Sequence, residues 1–228
     1  MEIREGIRNM KYPKINTIWK RDESNKFKII EGDFSKQEFA NIKNWHITEK
    51  IDGTNIRVSF ENNTVRFDGR TDEAQMPAHL YDALQKIFTI SAMQQAFKEP
   101  VPCKVILYGE GYGAKIQKGG GLYRKDAGFI LFDAWIDGWW LERDSVNDIA
   151  DKLSIKSIPE FGIMDHESAI RIVQSRQYSL IAEEPKVIEG IVARSHPLML
   201  FRDGTPIMWK LKARDFDAKE AGNMVWRK

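Results

Sequence analysis

Lys50 stands in Glu49-Lys50-Ile51-Asp52-Gly53-Thr54-Asn55, a setting that suits a lysine acting as a nucleophile. A lysine amine attacks phosphorus only after losing its proton, so burial or neighbouring cations must lower an ordinary pKa near 10.4. A glycine three positions later lets the backbone approach a nucleotide closely. A bare K-x-D-G arises by chance in roughly one chain in twenty of this length, so alone it reads as an exposed lysine in a turn.

Three further elements share its chemistry. Glu110 lies in Tyr108-Gly109-Glu110-Gly111-Tyr112-Gly113, directly after an expected strand. Glu189-Gly190-Ile191-Val192-Ala193-Arg194 is a second acid-glycine step opening a strand, and Trp209-Lys210-Leu211-Lys212 ends the last expected hairpin. On a strand, Lys210 and Lys212 point to one face. Two ammonium groups held together repel unless an anion lies between them, which a triphosphate would supply. Taken in isolation, the pair reads as a solvated face.

The elements that must position these residues mix helix and strand signals, which gives an α+β class with two antiparallel sheets and a few packed helices. Ser35 with Glu38 forms a capping box for a short helix to about Trp45. Ile56 to Phe60 and Val65 to Phe67 read as strands around the Glu61-Asn62-Asn63 turn. Pro77, then Leu80, Leu84, Ile87, Phe88 and Met93, predict one long amphipathic helix to about Lys98. Apolar or aromatic runs follow at Val105 to Tyr108, Phe129 to Trp135, Trp139 to Leu141, Ile191 to Ala193, Leu198 to Phe201 and Ile207 to Leu211. Asp137-Gly138 and Asp203-Gly204 join neighbouring runs into hairpins. Two more helices are expected, from Ser145 with Asp148 in capping position, and from about Glu167 to Arg176.

In order and spacing the four elements resemble those of the covalent nucleotidyltransferases, which comprise polynucleotide ligases and mRNA capping enzymes. The likeness is greatest to phage-type RNA ligases of the RNA ligase 2-like group, whose lysine motif also reads E-K-x-x-G-T-N, and it covers roughly Thr48 to Phe216. Arg70 in Gly69-Arg70-Thr71 resembles that group's arginine-threonine element, Phe132-Asp133 its adenine-stacking phenylalanine, and Tyr12-Pro13-Lys14-Ile15 the lead-in of some phage relatives.

The resemblance implies an ATP-grasp-like nucleotidyltransferase domain and an ATP-dependent RNA ligase. Lys50 would carry AMP, and Glu49 and the Phe132 ring would hold adenine. Glu110 would bond the ribose, Asn55 and Arg70 would orient phosphates, and Lys210 and Lys212 would contact the α-phosphate. Asp52, Glu110 and Glu189 would gather around Mg²⁺ or Mn²⁺, partly through water. The substrate would be RNA with 5′-phosphate and 3′-hydroxyl ends, or a nicked duplex. Plain core packing also accounts for Phe132.

Asn55 stands where DNA ligases usually carry arginine, which favours RNA ligases, and Asp52 replaces the group's histidine. Only sixteen residues follow Lys212. The resemblance therefore implies no C-terminal OB domain and a missing nucleic-acid clamp, which leaves the grip to a few contacts through the chain's own basic residues or to a partner protein. A DNA ligase or nick-repair enzyme is the alternative within the class. A nucleic-acid-binding module of the same fold that does not ligate is the alternative outside it. The glycine-rich stretch from Gly109 to Gly121 contains no G-K-[ST], which argues against a Walker-type loop.

At 228 residues and 42% apolar composition, the chain is expected to fold as one domain, 1–228, with 1–45 as its lead-in segment. No run of about 18 apolar residues occurs, and Met1 to Lys11 is charged rather than signal-like. A monomer away from membranes is expected, in the cytoplasm, or in the host's cytoplasm should the source be viral. Cys103 is the single cysteine, which excludes an internal disulfide and a thiolate zinc site, and it reads as a small buried residue on a strand. His46, His79, His166 and His196 form no ligand pair, so any metal would be a hard ion on oxygen. A net charge of +2 announces no nucleic acid by itself. Lys104, Lys115, Lys118, Arg124 and Lys125 form a local basic strip, read equally as phosphate-facing or as a solvated loop. Trp139 and Trp140 could stack on bases, but hairpin packing accounts for both.

Overall fold

The computed structural model describes residues 11–24, 28–71, 74–97 and 104–217. The expected Cys103 strand position and the helix end at Lys98 fall outside these residues, as does most of the Met1 to Lys11 segment. In chain order the strands are β1 (Asn16–Thr17), β2 (Trp19–Arg21), β3 (Ile29–Phe34), β4 (Trp45–Lys50), β5 (Thr54–Glu61), β6 (Thr64–Asp68), β7 (Val105–Gly113), β8 (Ala127–Ile136), β9 (Trp139–Trp140), β10 (Lys156–Ser157), β11 (Glu160–Met164), β12 (Gly190–Ser195) and β13 (Met208–Lys212). The helices are α1 (Gln37–Asn41), α2 (Ala78–Ile87), α3 (Ile90–Phe97), α4 (Arg143–Lys152) and α5 (His166–Gln174).

Two large sheets carry the fold, as expected for α+β. One runs β1-β13-β12-β4-β11; the other runs β10-β8-β7-β5-β6, with β9 added to β8, and β2 and β3 make a separate ribbon. Pairing is antiparallel except where β1 meets β13 and β10 meets β8. Strand alternation gives each sheet two distinct faces. Val58, Leu107, Phe129 and Leu131 of the six-stranded sheet pack on Leu80, Leu84, Met93 and Val146 of α2, α3 and α4. Ile47, Ile191, Trp209 and Leu211 of the five-stranded sheet pack on Ala169, Ile170 and Val173 of α5. The other faces are left to line a cleft between the sheets.

The β5–β6 hairpin forms as read, with Asn62 and Asn63 both at positive φ, the conformation a two-residue turn requires. Several boundaries differ. The Ser35 capping box does not form: the Ser35 hydroxyl donates to the Thr17 carbonyl, α1 ends at Asn41, and Trp45 opens β4. The single long helix is two, because Phe88 leaves helical geometry to pack edge-on against Phe129, and Thr89 then caps α3 by accepting from the Ala92 amide at 3.1 Å. Helix α4 begins at Arg143 rather than Ser145, and Asp148 pairs with Lys152 instead of capping. Leu198 to Phe201 makes only a single bridge, Leu200 to Pro206. A proline has no amide hydrogen to extend the ladder. Glu110 lies within β7 rather than after it.

Candidate active site

Three adjacent strands bring the lysines together. Lys50 at the end of β4 is opposite Gly190 of β12, Gly190 is opposite Lys212 of β13, and Val192 is opposite Lys210. Because side chains alternate, Lys50, Lys210 and Lys212 share the cleft face. From the facing sheet come Asn55 of β5 and Glu110 of β7, which are register partners, and Phe132 of β8. Gly53 is required where the Lys50 loop meets β7, since a Cβ there would lie 2.3 Å from the Gly111 carbonyl oxygen and 2.7 Å from Glu110 Cγ. At Gly109, a Cβ would strike the Phe129 ring at 2.1 Å.

Glu189 joins two of the lysines. Its Oε2 lies 2.5 Å from Lys50 Nζ and its Oε1 2.6 Å from Lys212 Nζ. Burial works against the Glu189 charge, but Lys50 and Lys212 outweigh it and hold the carboxyl below its ordinary value. Glu110 makes no such ion pair among the described residues. Burial pushes it up to about 8, with Glu189 and Asp52 adding repulsion and Lys50 opposing. Lys210 is brought down to about 8, first by burial and then by Lys50, Lys212 and Arg70. The cleft therefore holds several cations that gather more positive charge than Glu189 can neutralise. Such a site suits a polyphosphate.

Lys50, Asn55, Arg70, Glu110, Phe132, Lys210 and Lys212 line one cleft of about 360 Å³, which the chain at Glu49 borders while its carboxylate turns away. Glu189 bridges the two ammonium groups and is not among the residues lining the cleft. Glu49 alternates onto the Trp45 and Ile47 side of β4. There Oε2 accepts from the Leu180 amide at 2.9 Å, while Oε1 is buried without a partner among the described residues. Its carboxylate thus ties down the loop at Leu180, and burial raises its pKa. Phe132 both borders the cleft and packs edge-on against Tyr12, with ring centroids 4.9 Å apart, so cleft and packing roles coexist.

Asp52 is not on the cleft wall; its amide donates to the Tyr123 hydroxyl at 3.3 Å. Among the described residues, no three carboxylates or imidazoles converge into a ready metal cage. Asp52 and Glu189 both add repulsion to the Glu110 charge, so the three carboxylates share one electrostatic neighbourhood. An oxygen-only set of this kind still fits a hard divalent ion that keeps several waters and takes one or two carboxylates besides phosphate oxygens.

The basic strip is less uniform than its sequence. Arg124 pairs with both oxygens of Asp126, at 2.6 and 2.9 Å, and Lys125 pairs with Glu184. Lys115 and Lys118 stay exposed, on the loop whose Gln117 donates to the Gly53 carbonyl at 3.2 Å. Trp140 is buried and stacked on Tyr108, with centroids 5.4 Å apart, whereas Trp139 is 74% exposed.

Tyr12, Asp133, Arg143, Ile158, Arg194 and Met208 also line the cleft and were not read as site residues. The signal for Arg194 was present, since it follows Gly190 and Val192 at every second position. Arg143 had no local signal, because it reaches the cleft only through the docking of α4.

A family model for RNA ligases matches residues 43–210. No curated protein matches the sequence. Solved structures of Naegleria gruberi RNA ligase are similar. A single-residue variant with ATP and Mn has a TM-score of 0.58 at 20% identity, over 89% of this chain and 63% of that one. The ligase with PPi also has a TM-score of 0.58 at 20% identity, over 88% and 61%. Another variant with AMP and Mn has 0.57 at 20%, over 88% and 61%. The chain thus spans less than two thirds of the length of these ligases, and at this identity the likeness establishes the shared fold.

Proposed function

We propose, from the premise that this chain belongs to the RNA ligase family, that it is an ATP-dependent RNA ligase whose Lys50 carries AMP. The observation that supports this reading best is the pairing of Lys50 and Lys212 on one carboxylate, with Lys210 beside them in a cleft lined by Phe132 and Glu110. The Naegleria structures with ATP or AMP and Mn favour the same nucleotide and metal here.

In the first step the deprotonated Lys50 amine attacks the α-phosphorus. The N–P bond forms, the bond to the bridging oxygen breaks, and pyrophosphate leaves. Lys210 and Lys212 hold the charge that builds on the phosphate oxygens, and Arg70 and Asn55 orient the chain of phosphates. AMP then passes to an RNA 5′-phosphate, and a 3′-hydroxyl displaces it to close the phosphodiester. A bound Mg²⁺ or Mn²⁺ would neutralise phosphate charge. Asp52, Glu110 and Glu189 would hold it, partly through water. We read the two sheets as one nucleotidyltransferase domain closing on this cleft.

The test is incubation with α-labelled ATP and either metal, followed by a denaturing gel. A labelled protein band that survives denaturation is expected. Its absence with both metals would leave a nucleic-acid-binding module of the same fold.

A further inference from the structure

The cleft continues beyond the lysines. On β12, Gly190, Val192 and Arg194 share the cleft face while Ile191 and Ala193 enter the core. Arg194 therefore lies about 7 Å further along the strand than Val192. There its Nη1 meets Asp133 of the facing sheet at 2.9 Å, and the Tyr12 hydroxyl donates to the other Asp133 oxygen at 3.0 Å. Arg143, at the first residue of α4, closes the same end.

This end holds more donors than acceptors. Among the described residues, Nε and Nη2 of Arg194 and Nε and Nη1 of Arg143 are buried with no hydrogen-bond partner, and Arg194 is only 7% exposed. Burial disfavours the Arg143 charge and Arg194 repels it, with Asp133 as the leading support. A guanidinium does not shed its proton in a protein. Charged donors buried this way take an acceptor from the protein, from ordered water or from a ligand. Phe132 and Val192 line the same cleft as these donors.

We propose that Arg143 and Arg194 read the far edge of the nucleotide's base, donating to its ring-nitrogen or carbonyl acceptors, and so discriminate among bases. The inference rests on the reading that the nucleotide's base lies against Phe132 in this cleft. Arg143 and Arg194 act as specificity determinants and take no part in the transfer itself.

The test compares the full chain with Arg143→Met. Asp133 keeps Arg194 and Tyr12 in that variant, so the thermal midpoint should hold or rise as a buried cation is removed. With metal chelated to stop turnover, its ATP affinity should fall roughly tenfold, as expected for one lost charged hydrogen bond. Its affinity for tripolyphosphate, which has no base, should stay unchanged. In the wild type, one of the 1-deaza, 3-deaza and 7-deaza analogues of ATP should show the same loss, and Arg143→Met should no longer distinguish that analogue from ATP. Arg143→Gln, which keeps donors, should recover part of the affinity and serves as the second variant should methionine disturb folding. Unchanged ATP affinity in both variants would assign the donors to ordered water and overturn the proposal. Equal loss of tripolyphosphate would make the end an anion site and overturn it too. Labelling of the wild type by ATP decides the ligase reading separately, so a labelled protein indifferent to Arg143 rejects only the base-reading role.

Discussion

Lys50 and Lys212 are held on the two oxygens of one carboxylate, Glu189, at 2.5 and 2.6 Å. A nucleophile fixed in this way is positioned but occupied, so its amine has to leave Glu189 before it can attack.

Replacement of Lys50 is the most direct consequence. Lys50→Ala should abolish transfer of label from ATP to the protein, yet retain some joining of RNA already carrying a 5′-adenylate, because closing the phosphodiester does not use that amine. Loss of both reactions in a variant with an unchanged circular dichroism spectrum would contradict this division of labour.

Glu110 makes stability depend on pH. Its folded pKa, about 8, lies above the ordinary value of 4.5. The neutral carboxyl is therefore favoured by folding, and this contribution is complete below about pH 4.5 and lost as pH rises through about 8. Glu110→Gln removes the titration, so denaturant midpoints across pH 5 to 9 should decline less than in the wild type. Parallel curves for the two proteins would refute the assignment.

Burial and the neighbouring cations disfavour the Lys210 charge. Its folded value, about 8, lies below the ordinary 10.5, so the unfolded chain binds more protons between these limits and stability rises with pH there. Lys210→Met should raise the midpoint of the nucleotide-free protein at pH 7. Solvent screening at this partly exposed amine keeps the gain to about 1 kcal/mol, or about 2–4 °C. The gain should vanish above about pH 10.5, and the variant should bind ATP more weakly. Calorimetry with and without nucleotide checks both signs.

Asp133 and Arg194 join the two sheets through a buried pair, 1% and 7% exposed. Asp133→Asn leaves the guanidinium uncompensated, which should cost about 3–5 kcal/mol. A denaturation midpoint within 1 kcal/mol of the wild type would show that the pair does not clasp the sheets.

Lys115 and Lys118 are the exposed remainder of the basic strip, on the loop tied to Gly53 through Gln117. If they meet RNA phosphates, Lys115→Ala with Lys118→Ala should lower joining and make the slope of log affinity against log salt shallower by about 0.7–0.9 per contact. Labelling by ATP should be unaffected. A double variant that loses labelling as well would move the loop into the nucleotide site.

By itself the sequence determined the chemistry of the cleft's lysine end and the elements that carry it. The lysine step, the acid-glycine steps and the Lys-x-Lys strand were legible because strand alternation is a two-residue rule, and the facing of Lys210 and Lys212 follows from it. The β5–β6 turn was legible for the same reason, since Asn62 and Asn63 supply positive φ locally. Tertiary structure alone decided the opposite end. Asp133 meets Tyr12 across 121 positions and Arg194 across 61, and no local pattern encodes such pairings. Docking of α4 delivers Arg143, burial against Phe129 breaks the long helix at Phe88, and Glu184 neutralises Lys125 from 59 residues away. Each of these outcomes depends on which surfaces the core brings together, and the energy of that choice is spread over many long-range contacts rather than written in any one segment.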